Sequence, residues 1–460
     1  MITFVTAFLD LREDRSKDKS VDRCFRLFEA LQSTGIRMHV FVSPEFRDRI
    51  HLTNGVVETI SLEELETYRT APPGIPAIRT DYHDTRNFLI LMNAKSEFVR
   101  RAMDVGTTSH YAWIDFSIVH VFRSPDATLQ YLSMLGQSRL REGLWFPGCW
   151  TAPSTELSRI QWRFCGGFLV GDRDSLMTWI RACESKTPQL SWEVNAWSYW
   201  ESQGRWKPQW YAANHDDSII RIPSDAFYTV ASLTTIPPRF DTEARLAVES
   251  LLPQVDHVYL SIPDTYRRFG DATLPGWTEN PKITVVRGPD HGPASKYIGC
   301  VSEIPEGSWV FVGDDDQEYA PNLVARMKQS ISQRAFYQNH FSEIRGKTSG
   351  GMVHGYVGNL SPVDVLQKAR EFPIPDCAYF VDDQWMSVFC FRHDIPVLSS
   401  GVGPYREIFA VLQGWHEKLG TASLSGMHNR DAKVKELGDF FGIAFHGPDL
   451  QNISEENISR

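Results

Sequence analysis

The sequence predicts an α/β protein of two tandem domains, each a mostly parallel sheet with helices on its faces. Three observations carry this. Strand-like apolar runs alternate with helical periodicities about every 25–30 residues, the rhythm of strand–helix–strand units. The pattern resets near 222–226 (IPSDA). Similar short segments then recur in the same order in the second half. The chain has 460 residues, about three times the ~150 of a typical domain, so two or three domains are expected. We place the boundaries at 1–222 and 223–460.

The elements follow in order. Ile2 to Leu9 is a β-branched and aromatic strand. Residues 20–34 carry Val21, Phe25, Phe28 and Leu31 at helical spacing, with Gly35 where a helix ends. Ile36 to Val42 is the second strand, closing a βαβ unit. Residues 70–80 (TAPPGIPAIRT) form a Pro/Gly loop, and 85–104 one helix. Tyr111 to Ile118 is a strand bearing one acid, Asp115, and Trp162 to Val170 is another, broken at Gly166-Gly167. In the second half, strands are expected at Ala226–Leu233, His257–Ile262, Lys282–Arg287 and Ser308–Gly313, with a helix over 242–252.

The repeat is short but ordered. His39-Val-Phe-Val-Ser-Pro44 resembles His257-Val-Tyr-Leu-Ser-Ile-Pro263, each one helix after the first strand of its half. Each half then has a strand ending in acid, at Asp115 and at Asp314–Asp316. Each later has an acid beside a tryptophan, Trp192-Glu193 and Asp383-Gln384-Trp385.

Composition narrows the function. Lys and Arg number 47 against 57 Asp and Glu, a net charge of −10, which argues against nucleic acid or an anionic membrane as the main partner. The seven cysteines lack metal-knuckle or CxxC spacing, and are expected as reduced, mostly buried thiols. The start, MITFVTAFLDLREDR, lacks a basic signal-peptide head. No apolar run reaches the ~18–20 residues of a membrane helix, so a cytoplasmic protein without a transmembrane segment is expected. The 14 Trp suit either sugar-stacking faces or large aromatic cores.

The strongest chemical signal is Trp309-Val-Phe-Val-Gly-Asp314-Asp-Asp316. Three carboxylates emerge at the carboxyl end of a strand, where open α/β sheets bind ligands. Mn²⁺ or Mg²⁺ would relieve their repulsion and neutralise a diphosphate leaving group; an acidic turn capping the next helix is the plainer reading. Leu233-Thr234-Thr235-Ile-Pro-Pro-Arg239 fits a nucleotide-holding loop, and Lys296 of His291-Gly-Pro-Ala-Ser-Lys fits a phosphate contact. Asp382 or Asp383 starts a helix, as a general base towards an acceptor hydroxyl or as a plain cap. His428 is a further candidate metal ligand.

The ordered set SLTTIPPRF, HVYLSIP, GPASKYIG, VFVGDDDQEY and VDDQWMS resembles the GT-A glycosyltransferases over about 226–430. The resemblance implies a Rossmann-like, nucleotide-binding half facing an acceptor-binding half. It implies Asp314 and Asp315 at the nucleotide or metal, Asp316 and Asp314 as Mn²⁺ or Mg²⁺ ligands with His428 completing the set, and inverting transfer with Asp383, or Asp382, as base. Residues 1 to about 222 resemble the bacterial HtrL/YibB-like glycosyltransferase family through VTAFLD, Arg86-Asn87, Met92-Asn-Ala-Lys95, Trp113-Ile-Asp115-Phe, Phe164-Cys-Gly-Gly167-Phe, Trp192-Glu193-Val-Asn195 and His215-Asp216. The fold class is thus two tandem Rossmann-like GT-A type domains. In the first half Asp115, helped by His215, is a candidate metal site. Lys95, Gly166 and Gly167 are candidate cofactor contacts, and Glu193 a candidate acid, base or hydroxyl clamp. Alternatively this half only holds acceptor.

The expected function is a metal-dependent, bifunctional glycosyltransferase using UDP- or GDP-sugars and a glycan acceptor. The first alternative is a metal-dependent phosphoryl or nucleotidyl transferase. The second is a non-catalytic glycan-binding protein, which would not need the acidic triplet. Donor, acceptor and oligomeric state are not encoded legibly.

Overall fold

The computed structural model describes residues 1–11, 20–79, 84–339, 352–354, 357–403, 429–446 and 452–455. The chain forms two compact units, residues 1–226 and 227–460.

The first unit begins with strand β1 (Ile2–Phe8), helix α1 (Val21–Gln32), β2 (Arg37–Val42) and β3 (Gly55–Thr59). Ser20 caps α1 by accepting from the Arg23 amide, and Cys24, Phe25, Phe28 and Leu31 fill its buried stripe. Next come α2 (Glu66–Thr70), α3 (Arg86–Asn93), α4 (Lys95–Val105), β4 (His110–Ile114), α5 (Pro125–Gln137), β5 (Leu144–Gly148), β6 (Phe168–Asp172), α6 (Arg173–Glu184), α7 (Glu193–Ser202) and β7 (Gln209–Ala212).

The second unit repeats the plan. It runs β8 (Thr229–Thr234), α8 (Glu243–Leu251), β9 (His257–Pro263), β10 (Ile283–Gly288), α9 (Ser295–Ile298), β11 (Trp309–Val312) and α10 (Leu323–Lys328). Then follow β12 (Phe336–Gln338), β13 (Asn359–Pro362), α11 (Val363–Arg370), α12 (Asp382–Arg392) and β14 (Val397–Ser399). Helix α13 (Arg430–Phe441) and the hairpin of β15 (Ile443–His446) and β16 (Asn452–Glu455) close the chain.

Each unit has one seven-stranded sheet. The orders are β3-β2-β1-β4-β6-β5-β7 and β10-β9-β8-β11-β13-β12-β14. Numbered within each unit, these are the same order. In both, the sixth strand alone runs antiparallel to its neighbours, β6 against β4 and β5, and β13 against β11 and β12. The remaining pairs are parallel. The two-domain α/β architecture with mostly parallel sheets is therefore present, and the repeat seen in short sequence segments extends to the whole topology. His39 on β2 meets Glu58 on β3 at 3.3 Å, and His257 on β9 meets Thr284 on β10 at 2.8 Å, so the matching histidines face matching strands.

The first and fourth strands are adjacent, while the chain first winds outwards to the second and third. The winding direction reverses between them, which opens a crevice at their carboxyl ends. Central strands such as β4 and β11 are buried along their whole length, as expected of a sheet covered on both faces.

Several local expectations differ from the structure. The helix expected over 85–104 is two helices. Asn93 Nδ2 takes the Leu89 carbonyl and also the Ser191 carbonyl, both at 2.8 Å, and the path turns at Ala94. The strand expected over 162–170 starts only at Phe168. Before it, the Trp162 carbonyl accepts from the Cys149 and Trp150 amides and Cys165 donates to Pro147, so this stretch lies along the end of β5. The strand expected to reach Ile118 stops at Ile114, and the Asp115 amide donates to the Gly167 carbonyl. Helix α12 is buried from Gln384 to Cys390 rather than on one face. Most tryptophans belong to the cores: Trp179, Trp197, Trp309 and Trp385 are fully buried, and Trp150 is exposed.

No helix among the described residues is long and apolar enough to cross a membrane. All seven cysteines are free, with Cys149 exposed and Cys165 buried 3.8 Å from it, Sγ to Sγ.

Candidate active site

The second unit's site is built where β8 and β11 end. Strand β11 is four apolar residues, and the chain leaves it at Gly313 into Asp314-Asp315-Asp316. A side chain at Gly313 would collide with the Tyr319 hydroxyl, which donates to the Asp314 carbonyl at 3.1 Å and fixes the turn. Helix α9 brings Lys296 from below. Gly292 enters the preceding turn at φ +61°, a conformation that favours glycine, with the Tyr379 ring against it. The Ser232 hydroxyl on β8 donates to the Lys296 carbonyl at 2.6 Å. The first turn of α12, after Val381, supplies Asp382 and Asp383.

These elements converge on one ammonium group. Lys296 Nζ lies 2.7 Å from Asp314 Oδ1, 2.9 Å from Asp382 Oδ2 and 3.6 Å from Asp383 Oδ1. The Tyr297 hydroxyl donates to Asp383 Oδ1 at 3.0 Å. Arg239, from the loop after β8, meets Asp315 Oδ1 at 2.6 Å and Asp316 Oδ2 at 3.2 Å. Five carboxylates thus share two cations. Burial lowers the Lys296 pKa, and Asp314 and Asp382 more than offset it, so the ammonium is held charged. Burial pushes Asp382 up to about 7, with Lys296 opposing and Asp383 and Asp314 adding to the rise. Burial, then Asp314 and Asp315, push Asp316 up to about 7. Five carboxylates against two cations leave a surplus of negative charge, which adds to burial in both shifts.

That surplus, and the buried Asp315 Oδ2 without a hydrogen-bond partner, fit a hard divalent cation in charge and donor type. The geometry is less complete. Among the described residues, no three His, Cys, Asp or Glu side chains gather on one metal position. Arg239 lies against Asp315 and Asp316 while Lys296 lies against Asp314, which divides the triplet between two cations. His428 lies outside the described residues. Of the expected nucleotide loop, Thr234 donates to the Ser261 carbonyl at 2.8 Å, and the buried Thr235 hydroxyl has no partner.

The first unit places an equivalent cluster at the equivalent position. Lys95, at the start of α4 just before β4, sends its ammonium to Glu193 Oε1 at 2.9 Å and Asp115 Oδ1 at 3.1 Å. It also donates to the Gly166 carbonyl at 2.9 Å. Trp113 Nε1 donates to Asp115 Oδ1 at 2.8 Å. Glu193 opens α7, as Asp382 and Asp383 open α12. Burial lowers the Lys95 pKa, and Asp115 and Glu193 more than offset it. A Cβ on Gly166 would collide with Glu193 Oε1, and one on Gly167 would stand 3.4 Å from Asp115 Oδ2. The glycines therefore admit the acids rather than stand apart from them. His215 is exposed, with its ring 5.3 Å from Trp162. Asp115, already taken by a lysine and an indole N–H, does not fit a metal ion in the way the triplet does.

Sequence reasoning singled out most of these side chains but missed Trp113 and Tyr297 as partners of the acids. Both stood inside quoted motifs, Trp-Ile-Asp and Ser-Lys-Tyr, and an aromatic donor beside each acid or lysine was the available signal. The first unit also has a cavity of about 630 Å³, lined by Glu97, Arg101, Cys183, Trp197 and Trp200 among others. None of the candidate site residues lines it. Glu97 there is already satisfied by the Glu66 and Thr67 amides and Arg101.

No protein-family model matches this chain, and no curated protein matches it. Solved structures do. The 4-diphosphocytidyl-2C-methyl-D-erythritol synthase of Anaerococcus prevotii DSM 20548 is similar over 48% of this chain and 91% of its own, with 8% identity and a TM-score of 0.26. The inositol-1-phosphate CTP transferase of T. maritima is similar over 47% and 85%, with 11% identity and a TM-score of 0.26. Rv0371C of Mycobacterium tuberculosis H37Rv, in complex with manganese, is similar over 47% and 88%, with 9% identity and a TM-score of 0.24. These likenesses concern fold and do not extend to chemistry.

Proposed function

We propose that residues 227–460 form a transferase that takes a nucleotide-activated sugar at the carboxyl end of its sheet and passes the glycosyl group to an acceptor hydroxyl. One observation carries this reading. A pair of carboxylates on α12 faces the strand-end acid Asp314 across a single buried lysine. Such a pair supplies a base beside the switch-point crevice, and an acceptor hydroxyl needs one.

Asp383 is the base in this reading. It accepts the Tyr297 hydroxyl at 3.0 Å and lies 3.6 Å from Lys296, whereas Asp382 lies 2.9 Å from that lysine and burial raises its pKa to about 7. Asp383 takes the acceptor proton, the freed oxygen bonds to the sugar's anomeric carbon, and the bond from that carbon to the phosphate oxygen breaks. The electron pair leaves with the nucleoside diphosphate, and the anomeric centre inverts. Asp314 and Asp316 would hold a divalent cation, which would supply charge neutralisation for that leaving group.

Nucleotidyl transfer is the second reading, and two of the structures with a similar fold are named as a diphosphocytidyl-erythritol synthase and a CTP transferase. A phosphate acceptor is already an anion and needs no base, so that reaction leaves the α12 carboxylates without a task. The two readings differ in product. The full chain is incubated with Mn²⁺ and either UDP-, GDP- and dTDP-sugars or nucleoside triphosphates with sugar phosphates. Release of nucleoside diphosphate, lost in Asp316→Asn, supports glycosyl transfer. Release of pyrophosphate would replace it with nucleotidyl transfer.

A further inference from the structure

We propose that Cys149 and Cys165 are a redox-responsive pair, which closes into a disulfide on reaction with a low-molecular-weight disulfide and reopens on reduction. Closure locks the rim of the first unit beside Lys95.

Contact is the first ground. The two sulfurs, 16 residues apart in the chain, lie 3.8 Å from each other. That is van der Waals contact, against about 2.05 Å when bonded. The backbone holds them there. The Cys149 amide donates to the Trp162 carbonyl at 3.1 Å, and the Cys165 amide to the Pro147 carbonyl at 2.8 Å. A Cβ on Gly148 would collide with the Arg163 carbonyl, so a glycine is what lets the two segments approach. Arg163 then fastens them. It donates to the Trp150 and Thr151 carbonyls at 3.0 and 2.8 Å and pairs with Glu201 at 2.6 Å. With both segments fixed, rotation of the thiol side chains brings the sulfurs together.

Unequal access is the second ground. Cys149 is exposed, whereas Cys165 is 1% exposed. A reagent in solution therefore meets Cys149 first. Burial, then the charge and the hydrogen bond of Cys149, hold Cys165 as a protonated thiol in the resting pair. Capping the Cys149 sulfur ends the last two of these causes and presents an electrophilic sulfur to Cys165. An exposed attacking thiol beside a sheltered resolving one is the division that a reversible pair needs.

Position is the third ground. Cys165 directly precedes Gly166, whose carbonyl receives the Lys95 ammonium at 2.9 Å. Its sulfur also lies 3.9 Å from the Ala213 carbonyl, just beyond β7. Closure ties the end of β5 to this point and pins the connection over 150–164, which begins with the exposed Trp150.

The exchange balances in two steps. The Cys149 thiolate attacks one sulfur of the small disulfide, a mixed disulfide forms, and the other sulfur leaves as a thiolate that takes a proton. Cys165 then attacks the Cys149 sulfur and loses its proton to the second small thiolate as that leaves. The two cysteines give up two electrons and two protons, and the small disulfide becomes two thiols.

The test incubates the reduced full chain with oxidised glutathione and reads intact mass and a peptide map. The expected product has lost two hydrogens, carries no glutathione, links Cys149 to Cys165, and reverts in dithiothreitol. Cys165→Ser is expected to stop at a glutathione adduct on Cys149, as is Cys165→Ala, which serves if the serine variant does not fold. Cys149→Ser is expected to yield neither adduct nor link. The native fold should also favour closure over the urea-unfolded chain by at least about tenfold in the glutathione ratio at half-closure. A wild-type chain that stays glutathionylated at Cys149, or that links other cysteines instead, would overturn the inference. So would equal half-closure ratios in the native and unfolded chains.

Discussion

Lys296 Nζ stands 2.7 Å from Asp314 Oδ1, with a side chain only 4% exposed. It touches the strand-end acid and both helix acids. Replacing it with methionine keeps the apolar stem and removes the charge. Asp314, Asp382 and Asp383 then face one another in a poorly solvated pocket. Breaking a buried pair from one side costs about 3–5 kcal/mol, and we expect a loss of that order for Lys296→Met in urea unfolding. Adding Asp382→Asn should recover part of it, because the pair is coupled. Strictly additive losses would mean that the lysine and Asp382 do not interact in solution.

The same cluster sets a pH dependence. Asp382 is buried and faces Lys296, Asp383 and Asp314, and its pKa rises from 3.8 to about 7. The native state therefore binds this proton more tightly than the unfolded state does. Stability is expected to fall as pH rises from about 4 through about 7, then level off. Asp316 acts in the same direction. Unfolding free energies between pH 5 and 8 should show the decline, and Asp382→Asn should flatten it. Stability that rises over this range would show that Lys296 dominates and that Asp382 is ionised throughout.

Gly166 offers a steric test in the first unit. Any Cβ there meets Glu193 Oε1, so Gly166→Ala must push Glu193 away from Lys95. Overpacking of this kind costs about 1–3 kcal/mol. Gly167→Ala meets the movable end of Ile118 at 2.8 Å and should cost less. Thermal unfolding of the two variants ranks them. Equal midpoints would mean that Glu193 moves aside freely.

Much of this plan was legible before the structure. The strand-end acids could be read because a run such as Trp309–Val312 must cross a sheet, and whatever follows it emerges at the edge. The helix acids could be read from Asp382 and Glu193 opening apolar helices. What joins them could not. Lys95 and Glu193 lie 98 residues apart, and Arg239 and Asp315 76 apart. A lysine in a sequence carries no mark of its burial. Lys296 was expected at a phosphate because it follows a tight turn after the third strand of its half. In the fold, the helix that carries it packs under β8 and turns it towards carboxylates. The break at Ala94 was hidden for the same reason, since the Asn93 side chain just before it bonds to the distant Ser191 carbonyl.

Arg239 gives the sharpest test of the acidic triplet. Its guanidinium meets Asp315 and Asp316, where a divalent cation would draw on the same oxygens. Burial lowers its pKa, and the two acids more than restore it, so it remains charged. If arginine and metal compete, Arg239→Gln frees the carboxylates. Mn²⁺ should then bind at least fivefold tighter by calorimetry, while nucleotide binding in EDTA weakens for want of the guanidinium. If the arginine instead holds the acids in the posture the metal needs, Mn²⁺ binding falls with it. The first outcome makes Arg239 a resident counter-ion displaced on loading, and the second makes it a positioning residue. A variant with unchanged Mn²⁺ affinity would remove the triplet from the metal site.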